Sequence, residues 1–119
     1  MDSYKDLIVW QKSVQLTKEI YRLTALFPNS EIYGLSTQLK RASVSVVSNI
    51  AEGFSRKSVK ENLQFVSIAF GSTSEIEAQL LLTKELAFTK EHEFEKAEAL
   101  LLEVRKMLNV LHRKIKTKF

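Results

Sequence analysis

The chain has 119 residues, 18 Lys+Arg against 14 Asp+Glu, a net charge of +4 and no cysteine. That length supports one domain over residues 1–119 with one core, and the missing thiols exclude disulfides, thiolate metal sites and cysteine catalysis. Three glycines and one proline leave little room for sheets or linkers. The composition therefore reads as all-α. No apolar run approaches the ~20 residues of a membrane span, and no basic-then-apolar signal pattern opens the chain, so a cytoplasmic, membrane-free protein is expected.

After a polar lead, helix one is expected over about 6–27. Asp6 suits its N-terminus, where a carboxylate meets unpaired N–H groups. Val9, Ser13, Leu16, Ile20, Leu23 and Phe27 follow at steps of four and three, the seam of a bundle helix, widened by Trp10, Val14 and Tyr21. Pro28 ends it, because the residue before a proline is pushed out of the helical region. In the connection, Asn29 or Ser30 is the expected cap of a single turn holding Glu31 and Ile32. Helix two is expected over about 35–54, opened by Gly34 or Ser36, with Gly53 as a packing glycine or part of the stop.

Ser58-x-x-Glu61 is a capping box that opens helix three, expected over about 59–87. Its apolar positions are Leu63, Val66, Phe70, Ile76 and Leu80, flanked by Phe65, Ile68 and Leu82. Gly71 costs about 1 kcal/mol relative to alanine. Small neighbours from Ala69 to Ser74 predict a tight helix crossing that offsets it. Helix four is expected over about 90–116, capped by Thr89, with Phe94, Ala97, Leu101, Val104, Leu108, Leu111 and Ile115 as an unbroken seam. Four such helices with short connections predict an up-down antiparallel four-helix bundle. Leu100, Met107, Val110, Phe65, Ile68 and Leu82 exceed what one internal seam needs, which points to self-association. The plainer alternative is a core with a few exposed apolar residues.

Helix two carries a second stripe beside its apolar one. Leu35, Leu39, Ala42, Val46 and Ile50 form the apolar face, and Gln38, Arg41, Ser45, Asn49, Glu52 and Arg56 run close alongside. Ser72, Glu75 and Gln79 continue the polar line in helix three. A hairpin turning near Lys57 would set residue i level with 114 − i, bringing Arg41 near Ser72 and Gln38 near Glu75. An Arg41 near the core needs an acceptor, and Glu75 is the expected one. The eight residues Gln38, Arg41, Ser45, Asn49, Glu52, Ser72, Glu75 and Gln79 are thus expected as a buried polar network that fixes register. Paired carboxylates with an arginine can also do acid–base work, but no pocket or cofactor signature accompanies them, so no catalytic residue is assigned.

The words Asp6-Leu7-x-x-Trp10, Phe27-Pro28, Tyr33-Gly34-Leu35-x-x-Gln38-Leu39-x-Arg41-Ala42-x-x-Ser45, Asn49-Ile50-Ala51-Glu52-Gly53, Arg56 and Gly71-Ser72-x-x-Glu75 resemble the bacterial 23S ribosomal RNA intervening-sequence protein family. The resemblance covers nearly the whole chain. It implies an up-down four-helix bundle that assembles into a homopentamer. It extends to the accessory protein of diversity-generating retroelements, a pentameric bundle that binds nucleic acid and a reverse transcriptase.

Charge is polarised along such a bundle. One pole collects the start of helix one, the turn between helices two and three, and the end of helix four. It holds eleven basic and five acidic residues, net +6, which leaves −2 for the other. Arg56, Lys57, Lys60, Arg105, Lys106, Arg113, Lys114, Lys116 and Lys118 are the candidate phosphate contacts. The competing explanation is that acids early and bases late in helix four simply complement its dipole. No base-stacking aromatic is interleaved with the basic run, so contact with RNA or DNA should be electrostatic and weakly sequence-specific.

His92 and His112 lack the Glu-x-x-His spacing of di-iron bundles, and no phosphate-binding glycine loop exists. No metal, cofactor or small-molecule substrate is expected. The reading is a non-enzymatic oligomeric bundle binding RNA or DNA through its basic pole. The alternatives are a protein assembly module without nucleic-acid binding, or an accessory subunit to a reverse transcriptase.

Overall fold

In the computed structural model, which describes residues 3–117, four helices follow one another: α1 (Ile8–Thr24), α2 (Leu35–Ser55), α3 (Val59–Glu85) and α4 (Glu95–Thr117). Each packs on its chain neighbours, and α4 returns against α1, which closes a four-helix bundle. The body measures 47 × 23 × 21 Å, so the helix ends define two separate poles. Among the described residues no helix is long and apolar enough to cross a membrane.

The heptad seams are the core. Leu16, Ile20 and Leu23 from α1, Leu39, Val46 and Ile50 from α2, Ile76 and Leu80 from α3, and Val104 and Leu108 from α4 are 0–2% exposed. Ser13, expected in the α1 seam, is also buried, its hydroxyl donating to the Trp10 carbonyl at 2.6 Å. The extra apolar positions divide. Leu100 is buried in the core, Phe65 and Met107 are half-buried, and Ile68, Leu82 and Val110 remain exposed.

The element ends differ from expectation for identifiable reasons. Tyr4–Asp6 form a separate 3-10 turn whose N-cap is Ser3, not Asp6. α1 stops at Thr24, and the N–H groups of Leu26 and Phe27 instead close onto Leu23 and Thr24, which lets Phe27 turn into the core ahead of Pro28. Neither Asn29 nor Ser30 caps the next turn; Pro28 precedes it. Thr89 does not cap α4. A 3-10 turn, Glu91–Phe94, comes first and seats Phe94 fully in the core. There Phe94 joins Phe27 and Phe88, with ring centroids 6.1 and 5.4 Å from Phe27. The same pole holds Arg22 between Glu19 and Glu93, with 2.8 Å to the Glu93 carboxylate. The Arg22 hydrogen bond holds the Glu93 carboxyl below the usual carboxylate range.

A close approach was expected at Gly71, with Gly53 either a packing glycine or part of the helix stop; the close approach is at Gly53 and not at Gly71. A Cβ at Gly71 would meet nothing within 4 Å, so no helix of this chain crosses there. The tight crossing is at Gly53, where a Cβ would lie 3.1 Å from that of Phe65 and 3.6 Å from the Asn62 carbonyl.

α3 ends two residues earlier than expected, in a Schellman motif. The Phe88 N–H donates to the Thr83 carbonyl at 3.1 Å, and the Ala87 N–H to that of Lys84 at 3.0 Å. This requires the left-handed conformation at Ala87, whose φ is 55°. A Cβ is disfavoured there by about 1–2 kcal/mol. Ala87→Gly should therefore raise stability by about 1 kcal/mol, read as a melting temperature a few degrees higher with an unchanged helical signal.

Candidate nucleic-acid interface

The pole that gathers the start of α1, the α2–α3 turn and the end of α4 is built around one asparagine. Ser58 caps α3 by accepting the Glu61 N–H at 3.1 Å. Asn62, one turn further on, donates its side-chain amide to the Gly53 carbonyl at 2.6 Å and the Arg56 carbonyl at 2.8 Å. These bonds satisfy carbonyls that the end of α2 leaves without helical partners. A cavity of about 230 Å³ lies beside this turn. Leu7, Ile50, Phe54, Val66, Leu111 and Ile115 line it, with Gly53, Arg56 and Asn62. Four helix ends thus meet at this pole, as the up-down reading requires.

Eight of the nine candidate cations fall into three groups. Arg105 is drawn inward. Its guanidinium donates to the hydroxyls of Thr73 (3.1 Å) and Ser74 (2.9 Å), sits 4.5 Å over the Phe70 ring, and lies 3.8 Å from Glu77. It ties α4 to α3 and is not available to phosphate. Arg56 is exposed but pairs with Glu52 one turn back and covers the Phe65 ring at 5.1 Å. Lys57, Lys60, Lys106, Arg113, Lys114 and Lys116 are exposed and have no ion-pair partner among the described residues. Lys118 lies outside the described residues. Lys5 adds a seventh exposed, unpaired cation that the candidate set omitted, whereas Lys12 is taken by Glu103 at 3.0 Å. At this pole Asp6 and Glu61 are the exposed acids without partners among the described residues.

The polar stripe of α2 and α3 is present, but it runs along the surface of the chain, not in its core. Ser45 and Ser72 hydroxyls pair at 2.8 Å, Asn49 donates to the Ser45 carbonyl at 2.8 Å, and Gln79 donates to Gln38 at 3.2 Å. Gln38, Arg41 and Glu75 are exposed, and Ser45, Asn49, Glu52, Ser72 and Gln79 are half-buried. Arg41 and Glu75 do not pair. The observed pairs set residue i level with 117 − i, not 114 − i. Side chains lean toward their helix N-terminus, away from the turn on α2 and toward it on α3. Tips therefore meet only when the α3 residue starts about three positions further from the turn. In this register Glu75 is level with Ala42, about 15 Å along the axis from Glu52 at 1.5 Å per residue. That separation does not form a carboxylate pair.

Phe54 and Asn62 were not singled out in the sequence. Phe54 sits two residues before Arg56, a proximity visible along the chain. The role of Asn62 depends on the turn geometry and leaves no sequence signal of its own.

The pattern of a family described as "23S rRNA-intervening sequence protein" matches residues 5–110. The chain belongs to the 23S rRNA-intervening sequence protein family. A crystal structure of a protein of unknown function from the S23 ribosomal protein family of Bacteroides thetaiotaomicron is similar in fold. It has a TM-score of 0.81 at 22% identity over 88% of this chain and 98% of that one. At that identity the likeness shows the fold alone. A comparison with curated proteins found no match. No catalytic family is indicated for this intervening-sequence protein chain, and among its described residues no three His, Asp or Glu side chains gather in a set that could hold a metal ion.

Proposed function

We propose that this intervening-sequence family member is a non-enzymatic, self-associating bundle whose basic pole binds the phosphate backbone of RNA or DNA. The observation that carries the reading is the position of Lys5 and Lys60, with Lys57 in the turn between α2 and α3. All three are exposed, and none has an ion-pair partner among the described residues. Lys60 lies in the first turn of α3, Lys57 just before it, and Lys5 just before α1. A helix N-terminus carries positive partial charge, so cations there are disfavoured. Dipole complementarity explains Arg113, Lys114 and Lys116 at the end of α4, and at Lys57, which directly follows the α2 C-cap Arg56, the α2 and α3 dipoles offset each other, but it opposes Lys5 and Lys60. A polyanionic ligand explains both sets at once.

Self-association is supported by the α2–α3 face. Ile68, Leu82 and Leu86 are 43%, 47% and 52% exposed. They lie on one line of α3 with Ser72, Glu75 and Gln79. Gly71, next to Ile68 and Glu75 on the helix surface, is open. A second copy seated there would offset the helix cost of that glycine and give Arg41 and Glu75 partners. If five copies assembled with parallel axes, as the family resemblance implies, the basic poles would form one field of about +30.

Two measurements test this. Fluorescence anisotropy with a structured RNA and a DNA duplex should give affinities that fall linearly in log–log salt. Replacing Arg113, Lys114 and Lys116 by glutamine should make the duplex slope shallower by about 3, since each lost phosphate contact removes about 0.9. No binding at low salt would leave a protein-assembly module as the reading. In sedimentation velocity, Gly71→Ala should shift the assembly toward smaller species, because the added methyl occupies the space a second copy needs. An unchanged mass with a higher melting temperature, the bare propensity gain of about 1 kcal/mol, would remove this face from the interface.

A further inference from the structure

We propose that the cavity beside the α2–α3 turn receives one unpaired nucleobase from the bound strand; this rests on the phosphate-binding reading of the pole. A cavity of about 150 Å³ is enough to hold a benzene ring, and this one is about 230 Å³. Its floor is dry core: Ile50 and Val66 are 2% and 3% exposed. Its wall includes Phe54, 38% exposed, an aromatic side chain standing where the exposed cations converge.

The polar atoms at this site match a base, not an aliphatic chain. Asn62 commits its amide N–H groups to the carbonyls of Gly53 and Arg56, which leaves Oδ1 with no donor among the described residues. A carboxamide oxygen accepts from an exocyclic amino group such as adenine N6 or cytosine N4. Arg56 also lines the cavity, with Lys57 and Lys60 following in the chain, so a strand that places a base inside can lay its flanking phosphates on these cations. Only a base outside a duplex can enter. The site therefore favours bulges, loops and single strands over continuous helix, as proteins that stack bases on aromatic side chains do.

The test uses three RNA hairpins at one salt concentration and across a salt series. One has a single bulged adenosine, one has an abasic residue at the same bulge, and one is fully paired. The wild-type chain should bind the bulged-adenosine hairpin about five- to a hundredfold more tightly than the abasic one, the range given by stacking one base. Phe54→Leu keeps apolar bulk, and Phe54→Ala removes it. Both should abolish that difference while leaving the salt slope unchanged, with melting curves verifying that each variant is folded. Equal wild-type affinity for the bulged and abasic hairpins, with a steep salt slope, would overturn the base pocket and leave the phosphate face standing. Absence of binding to all three at low salt would overturn both.

Discussion

The side-chain amide of Asn62 bridges the last turn of α2 and the residue that follows it, and the basic pole takes its shape from that contact. Its bonds to the Gly53 and Arg56 carbonyls hold the start of α3 against the end of α2. Gly53 makes this distance attainable, since its missing Cβ is what lets Phe65 approach. Once the turn is fixed, Arg56 is carried over the Phe65 ring, and Lys57 and Lys60 follow it in the chain, both exposed. Phe54 stays beside the cavity, and α4 closes the other side through Leu111 and Ile115. Each Asn62 bond contributes about 0.5–1.5 kcal/mol net. The turn therefore has a local reason to keep one geometry.

The two poles carry net charge of opposite sign. At the α3–α4 connection, Arg22 is enclosed by Glu19 and Glu93, and Lys84 reaches Glu98 at 3.2 Å. These charges pair internally around the Phe27, Phe88 and Phe94 cluster. At the other pole seven cations stand free among the described residues. Exposed pairs contribute little to stability, so the internal pairing mainly fixes geometry. Lys90 and Lys96 at the first pole are also exposed and unpaired among the described residues, so what sets the basic pole apart is its net charge. Its cations at the end of α4 gain from that helix's dipole, whereas Lys5 and Lys60 do not, and the proposed polyanion would account for them.

Much of this was legible in the sequence. The three–four spacing of the seams identified each helix and its buried face, from Val9 to Leu23 in α1 and Ala97 to Leu108 in α4, because burial acts on every turn. The polar stripe was also legible as a line. Its depth was not: helical spacing says which residues share a face, not what covers that face. The expected Arg41–Glu75 pair does not form because both side chains are exposed and water serves each of them. Separately, matching residues by height ignores the N-terminal lean of side chains and put the register off by three residues. Gly71 and Gly53 were indistinguishable by type, and only the crossing point separates them. Arg105 read as one more cation of a basic run. The nearby Thr73, Ser74 and Phe70, some thirty residues earlier, convert it into a structural link.

The most direct test of the pole as the ligand-bearing surface is a residue-resolved footprint. Backbone amide NMR shifts would be followed as an RNA hairpin with an unpaired loop is titrated into the protein. The perturbed amides should cluster in residues 54–62 and 111–117, near the Asn62-bridged turn and the end of α4. Shifts centred instead on the Arg22 and Glu93 pole, or along α3 between Ile68 and Leu86, would contradict that assignment.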